Sequence, residues 1–103
     1  MTYEQISPQE AKKSMDRESD VILLDVRTRE EYDSGHIKNA VCLPNEAILG
    51  EPEILPDKGQ KILVYCRSGK RSRQAAQKLA DMGYEKVLEF GGILDWPYPE
   101  LIE

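Results

Sequence analysis

Ile62-Leu63-Val64-Tyr65-Cys66-Arg67-Ser68-Gly69-Lys70-Arg71-Ser72 changes character twice within a short span. Its first four residues form an unbroken apolar and aromatic run, the pattern of a strand buried on both faces, and Cys66 ends it. A polar loop containing Gly69 follows. From Ser72 onward, Ala75, Ala76, Leu79 and Met82 fall on one helical stripe, and Gly83 stands where a left-handed C-terminal residue belongs. A strand that passes through a short polar loop into a helix is the building unit of an α/β fold.

The flanking sequence repeats this alternation. Residues 21–24, 40–43 and 86–90 are further short apolar runs, and residues 3–5 give a weaker one. Ser7-Pro8-Gln9-Glu10 reads as a helix start, with a cap, a proline at the first helical position and a glutamate three residues after the cap. Thr28-Arg29-Glu30-Glu31 repeats the capping box. Residues 44–59 contain three prolines and two glycines and predict a short helix plus irregular loop. Strands alternating with helices predict a mainly parallel sheet with helices on both faces, because right-handed crossovers lay each helix across the sheet. Neither an internal repeat nor a linker is visible, so residues 1–103 are expected to form one domain. Ligands of such sheets bind beyond the carboxyl ends of the strands, and Asp25 and Cys66 each follow a strand directly.

Composition narrows the function. The net charge of -5 argues against nucleic-acid binding, which needs a basic face. The basic residues Arg67, Lys70, Arg71 and Arg73 nevertheless sit together, leaving 10 basic against 19 acidic residues elsewhere. That is the pattern of a local anion site in an acidic protein. No apolar run approaches the ~20 residues of a membrane span, and no signal peptide is legible, so the expected address is cytoplasmic. Two cysteines make neither a disulfide scaffold nor a zinc knuckle, so no metal and no cofactor is expected.

The chemistry converges on Cys66. A loop that curls into a helix N-terminus aims backbone N–H groups at its centre, where the helix dipole also favours negative charge. A sulfur held there is biased toward thiolate, and the adjacent cations reinforce the bias. The bland alternative, a small apolar residue at a strand end, suits Cys42 far better, since it lies in an apolar run without loop, cations or helix.

Three segments now resemble the rhodanese family. They are Asp25-Val26-Arg27 leading to Glu31-Tyr32 and Gly35-His36-Ile37; Val64 to Ser72; and Gly83-Tyr84 leading to Phe90-Gly91-Gly92-Ile93 and Trp96. The resemblance implies a five-stranded, mainly parallel sheet and a catalytic Cys66 that accepts the outer sulfur of thiosulfate or a persulfide donor. Backbone N–H groups from Arg67, Ser68, Gly69, Lys70, Arg71 and Ser72 would cradle the persulfide, and the side chains of Arg67, Lys70 and Arg71 would attract a small anionic donor. The acceptor would be a thiol, cyanide or a protein cysteine; oligomeric state is not legible. A docking or carrier module without turnover is the alternative. A phosphatase or arsenate reductase is a more distant one, because the related phosphatase loop reads Cys-x5-Arg whereas Arg71 here makes Cys-x4-Arg.

Other residues read as structural. His36 belongs to the Gly35-His36-Ile37 turn, Asp25 and Arg27 are expected to pair at the strand end, and Trp96 is expected to anchor the core after Gly91-Gly92. Pro97-Tyr98-Pro99 shortens the usual last stretch of the family and predicts an exposed tail available to a partner.

Overall fold

The computed structural model describes residues 2–50, 52–98 and 101–102. Its elements in chain order are β1 (Glu4–Gln5), α1 (Pro8–Arg17), β2 (Ile22–Asp25), α2 (Arg29–Asp33), β3 (His36–Ile37), β4 (Val41–Cys42) and a 3-10 turn (Asn45–Ala47). There follow β5 (Lys61–Cys66), α3 (Lys70–Asp81), β6 (Lys86–Gly92), a second 3-10 turn (Ile93–Asp95) and β7 (Leu101–Ile102). Strands β1, β6, β5, β2 and β4 lie side by side in that order, and every neighbouring pair is parallel. The expected five-stranded sheet is therefore parallel throughout.

The apolar run that opened the sequence reading is the central strand, β5. Ile62, Leu63, Val64 and Tyr65 are all fully buried, which a central parallel strand requires because both its faces are covered. Alternation along β5 divides the core in two. Ile62, Val64 and Cys66 face Ala75, Ala76 and Leu79 of α3, while Leu63 and Tyr65 join Ala11 of α1, Leu23, Phe90 and Trp96 on the other face. Both expected capping boxes are present: Ser7 with Glu10 opens α1, and Thr28 with Glu31 opens α2. No helix among the described residues is long and apolar enough to cross a membrane.

Three details depart from the sequence reading. Helix α3 begins at Lys70, two residues before the expected start at Ser72. Gly69 has φ 109° and stands at the cap position, a left-handed conformation that glycine takes without steric penalty, so the chain turns into the helix immediately. Ser72 is thereby placed inside the first turn, facing the core. Strand β6 runs on to Gly92, with a register shift against β5 between Val64 and Cys66 that bends the Gly91-Gly92 segment toward the loop. Finally, β3 and β7 pair antiparallel, His36 with Ile102 and Ile37 with Leu101, so this part of the tail returns to a second small sheet instead of standing free.

Candidate active site

Cys66 ends the central strand with only 1% of its surface exposed. The backbone N–H of Gly69 donates to its Sγ at 3.0 Å, and its thiol reaches Ser72 Oγ at 3.5 Å. Burial pushes the Cys66 thiol up, but the Ser72 hydroxyl and the backbone N–H groups of Ser72, Gly69 and Ser68 outweigh it, and the net shift is downward. The loop has little room to relax. A Cβ on Gly92 would overlap the carbonyl group of Arg67, and that carbonyl also accepts the Leu94 N–H at 3.2 Å. Only glycine permits this approach of strand β6 to the cysteine loop.

The six loop residues named from sequence divide into three groups. Gly69 and Ser72 are buried and point bonding groups at the sulfur. Arg67, Ser68 and Lys70 are exposed, so the two cations lie at the surface around a recessed thiol. Arg71 turns away to Glu31, which accepts two bonds from its guanidinium at 2.6 and 3.0 Å. The positive charge of Arg71 is thus partly offset, though it still interacts with Cys66, and the Arg73 guanidinium beside Gly69, the exposed Arg67 and Lys70 and the helix terminus are the other positive groups around the loop.

The same ion pair ties the loop to α2. Arg71 holds the Glu31 carboxyl down at about 2 from its ordinary 4.5; burial pushes it up, and bonds from Thr28 add to the lowering. A carboxylate with a depressed native pKa stabilises the fold fully above its unfolded value and loses that contribution as pH falls through the native one. The stability advantage of wild type over Glu31→Gln, measured by urea unfolding, is therefore expected to be complete above about pH 5 and to vanish on approach to pH 2. Glutamine preserves the capping geometry, so a difference independent of pH would assign it to something other than this charge.

Asp25 reaches the same carboxyl edge of the sheet as Cys66 but the opposite face. Its carboxylate takes the Arg27 guanidinium at 2.6 Å and the Tyr65 hydroxyl at 2.7 Å, and all three residues are buried. Arg27 continues to the Gly35 carbonyl at 2.6 Å, and Tyr65 Oη accepts the Ile37 N–H at 3.1 Å. The expected pair is thus one part of a brace locking the end of β2 to β5 and to the turn before β3. His36 stacks on Tyr32, ring centroids 3.8 Å apart, and its Nδ1 meets the Tyr32 carbonyl at 2.9 Å. This is the structural placement expected of it. Trp96 packs against Phe90 within the core cluster, as expected of an anchor.

Cys42 is half-buried, and burial raises its thiol pKa, whereas that of Cys66 is lowered. Near neutral pH, iodoacetamide is expected to alkylate Cys66 faster than Cys42 in the native protein. Peptide mapping of a time course gives the two rates directly, and equal rates would contradict the thiolate bias.

Two buried polar residues lie outside the site expected from sequence: Tyr65 reads as one more apolar strand residue, and Glu89 falls within the 86–90 run. Glu89 is 2% exposed and faces α3, where its Oε2 lies 2.6 Å from Ser72 Oγ and 2.7 Å from the Gly91 N–H. Its Oε1 accepts Gln5 Nε2 at 3.2 Å. An acid in the middle of a strand read as buried was the available signal, since buried carboxylates are rare unless bonded. No cluster of three or more metal-ligating side chains occurs among the described residues.

Comparison with known proteins agrees with this layout. The chain is 37% identical over 97 residues to the thiosulfate sulfurtransferase GlpE of Coxiella burnetii, covering 93% of this chain and 89% of that protein. It is 36% identical over 100 residues to a tRNA uridine(34) hydroxylase of Cytophaga hutchinsonii, of which it spans only 32%. The crystal structure of a rhodanese-like domain protein from Staphylococcus aureus superimposes with a TM-score of 0.81 at 30% identity, covering 96% of both chains. The family model for the rhodanese-like domain matches residues 7–97, and with the parallel sheet and the cysteine loop before α3 it establishes that the chain belongs to the rhodanese-like domain family.

Proposed function

We propose that residues 1–103 act as one cytoplasmic domain, a sulfurtransferase that carries sulfane sulfur as a persulfide on Cys66. The observation that carries this reading is the recessed Sγ at the mouth of α3, with the Gly69 N–H 3.0 Å away and the pKa of the thiol shifted down. In the first half-reaction Sγ bonds to the outer sulfur of thiosulfate or a persulfide donor. The sulfur–sulfur bond of the donor breaks, and its electron pair leaves on sulfite or on the donor thiolate. The outer sulfur stays on Cys66 as an anion within reach of the loop N–H groups. In the second half-reaction a thiol, cyanide or protein cysteine attacks that sulfur, and Cys66 leaves as thiolate. Arg67 and Lys70, exposed around the recessed sulfur, supply the field that draws an anionic donor to an acidic protein.

Phosphatase chemistry fits less well. Arg71, the residue closest to the phosphatase arginine in the loop, is bound to Glu31. Departure of sulfite also needs no proton, whereas an ester oxygen usually does.

Intact mass after incubation with thiosulfate tests the reading. Wild type is expected to gain the mass of one sulfur and to lose it on addition of cyanide or a small thiol. No gain would refute persulfide formation from thiosulfate. A gain that only a partner protein could discharge would favour the carrier.

A further inference from the structure

Ser72 Oγ stands between Cys66 and Glu89, and its single proton can serve only one of them at a time. It lies 3.5 Å from Cys66 Sγ and 2.6 Å from Glu89 Oε2, with the Gly69 carbonyl at 3.0 Å and the Gly91 carbonyl at 3.3 Å. The same positions accommodate two opposite chains of hydrogen bonds. In one, the Cys66 thiol donates to Ser72 and Ser72 donates to the Glu89 carboxylate. In the other, a protonated Glu89 donates to Ser72 and Ser72 donates to a Cys66 thiolate.

We propose that Glu89 is the proton partner of Cys66, reached through the Ser72 hydroxyl, so that the buried pair holds one negative charge between the two groups. As the Cys66 S–H bond breaks, the sulfur keeps the electron pair, its proton passes to Ser72 Oγ, and the proton of Ser72 passes to Glu89 Oε2. The charge moves from carboxylate to sulfur, and no oxidant, reductant or other reactant is involved. Two adjacent buried anions would repel each other in a poorly screened interior; one shared charge avoids that cost. In turnover the acid form of Glu89 would accompany the Cys66 persulfide, and the proton would return when Cys66 leaves as thiolate. That use in turnover rests on the sulfur-transfer reading, whereas the proton exchange does not. Glu89 acts through Ser72 and is therefore a positioning residue.

The surroundings suit a closed exchange. From β1 Glu89 meets the neutral Gln5, from α3 Ser72, and within β6 the Gly91 N–H. Among the charged groups near Cys66, Arg71 is bound to Glu31, the Arg73 guanidinium lies beside Gly69, and Arg67 and Lys70 are exposed. The Asp25, Arg27 and Tyr65 cluster lies on the other face of the sheet.

The test is the rate of Cys66 alkylation by iodoacetamide as a function of pH, with peptide mapping to separate it from Cys42. Two interacting groups release their protons in two macroscopic steps, so wild type is expected to show two steps more than about one pH unit apart. Glu89→Gln should show a single step, below the upper step of wild type, because no carboxylate then opposes the thiolate. Ser72→Ala, which cuts the chain without removing the acid, should also lose the intermediate plateau. A single step in wild type would overturn the proposal, as would two steps that survive in Glu89→Gln. The wild-type curve decides even if a variant fails to fold, and a purely structural Glu89 would leave it with one step. No sulfur donor is used, so a failure of sulfur transfer and a failure of this inference are separate results.

Discussion

Cys66→Ser is expected to fold and to lose thiosulfate turnover by at least about a thousandfold, because the covalent route disappears with its nucleophile. Serine is smaller, and its hydroxyl can use the same partners, the Gly69 N–H at 3.0 Å and Ser72 Oγ at 3.5 Å. Such donors lower the pKa of the thiol, but an alcohol is far less acidic than a thiol and stays neutral near neutral pH. It also forms no stable analogue of a persulfide. The exposed side chains of Arg67 and Lys70 are untouched by the substitution, so the proposed attraction of an anionic donor is left in place. Steady-state turnover and intact mass, on variant protein with a native circular dichroism spectrum, make the measurement. Turnover within tenfold of wild type would exclude Cys66 as the sulfur carrier.

Arg27→Ala is expected to destabilise the fold by about 3–5 kcal/mol, the cost of breaking a buried ion pair from one side. Side-chain exposure is 6% for Arg27 and 0% for Asp25, so no solvent replaces the lost guanidinium. Asp25 would keep the Tyr65 hydroxyl and the backbone N–H of residue 27, neither of which carries charge. The Gly35 carbonyl would lose its donor as well. Domains of this size have a total stability of only about 5–15 kcal/mol, so the variant should unfold at much lower urea concentration or fail to accumulate. Asp25→Asn with Arg27→Met removes both charges and should recover much of the loss, because a matched neutral pair leaves no buried ion. Little difference between the single and double variants would mean that packing of the arginine stem, not its charge, carries the effect.

Cys66 with its loop and the Asp25–Arg27 pair were both legible in sequence; the Tyr65 hydroxyl and the Gly35 carbonyl that complete the second were not. The unbroken 62–65 run, the following polar loop and the helical stripe of Ala75, Ala76 and Leu79 are signals between near neighbours, carried by period and composition. Strand, loop and helix were therefore legible, and with them the parallel sheet, the capping boxes and the position of Cys66 at the end of the central strand, before α3. Boundaries were less so. The start of α3 moved to Lys70 because one backbone angle at Gly69 decided it. The pairing of β3 with β7 went unseen because two-residue strands carry no periodicity.

By itself, then, the sequence determined the α/β alternation and the strand-loop-helix unit around Cys66, because these depend on residues a few positions apart. Tertiary structure alone decided which polar groups distant in sequence meet. Arg71 finds Glu31 from 40 residues away, Tyr65 finds Asp25 across the same interval, and Ser72 finds Glu89 at 17. Such pairings follow from strand order, from the face to which alternation directs each side chain, and from the register shift beside Cys66. A buried charge or hydroxyl must satisfy its bonds within the interior, and what the interior offers is known only once the distant segments have packed.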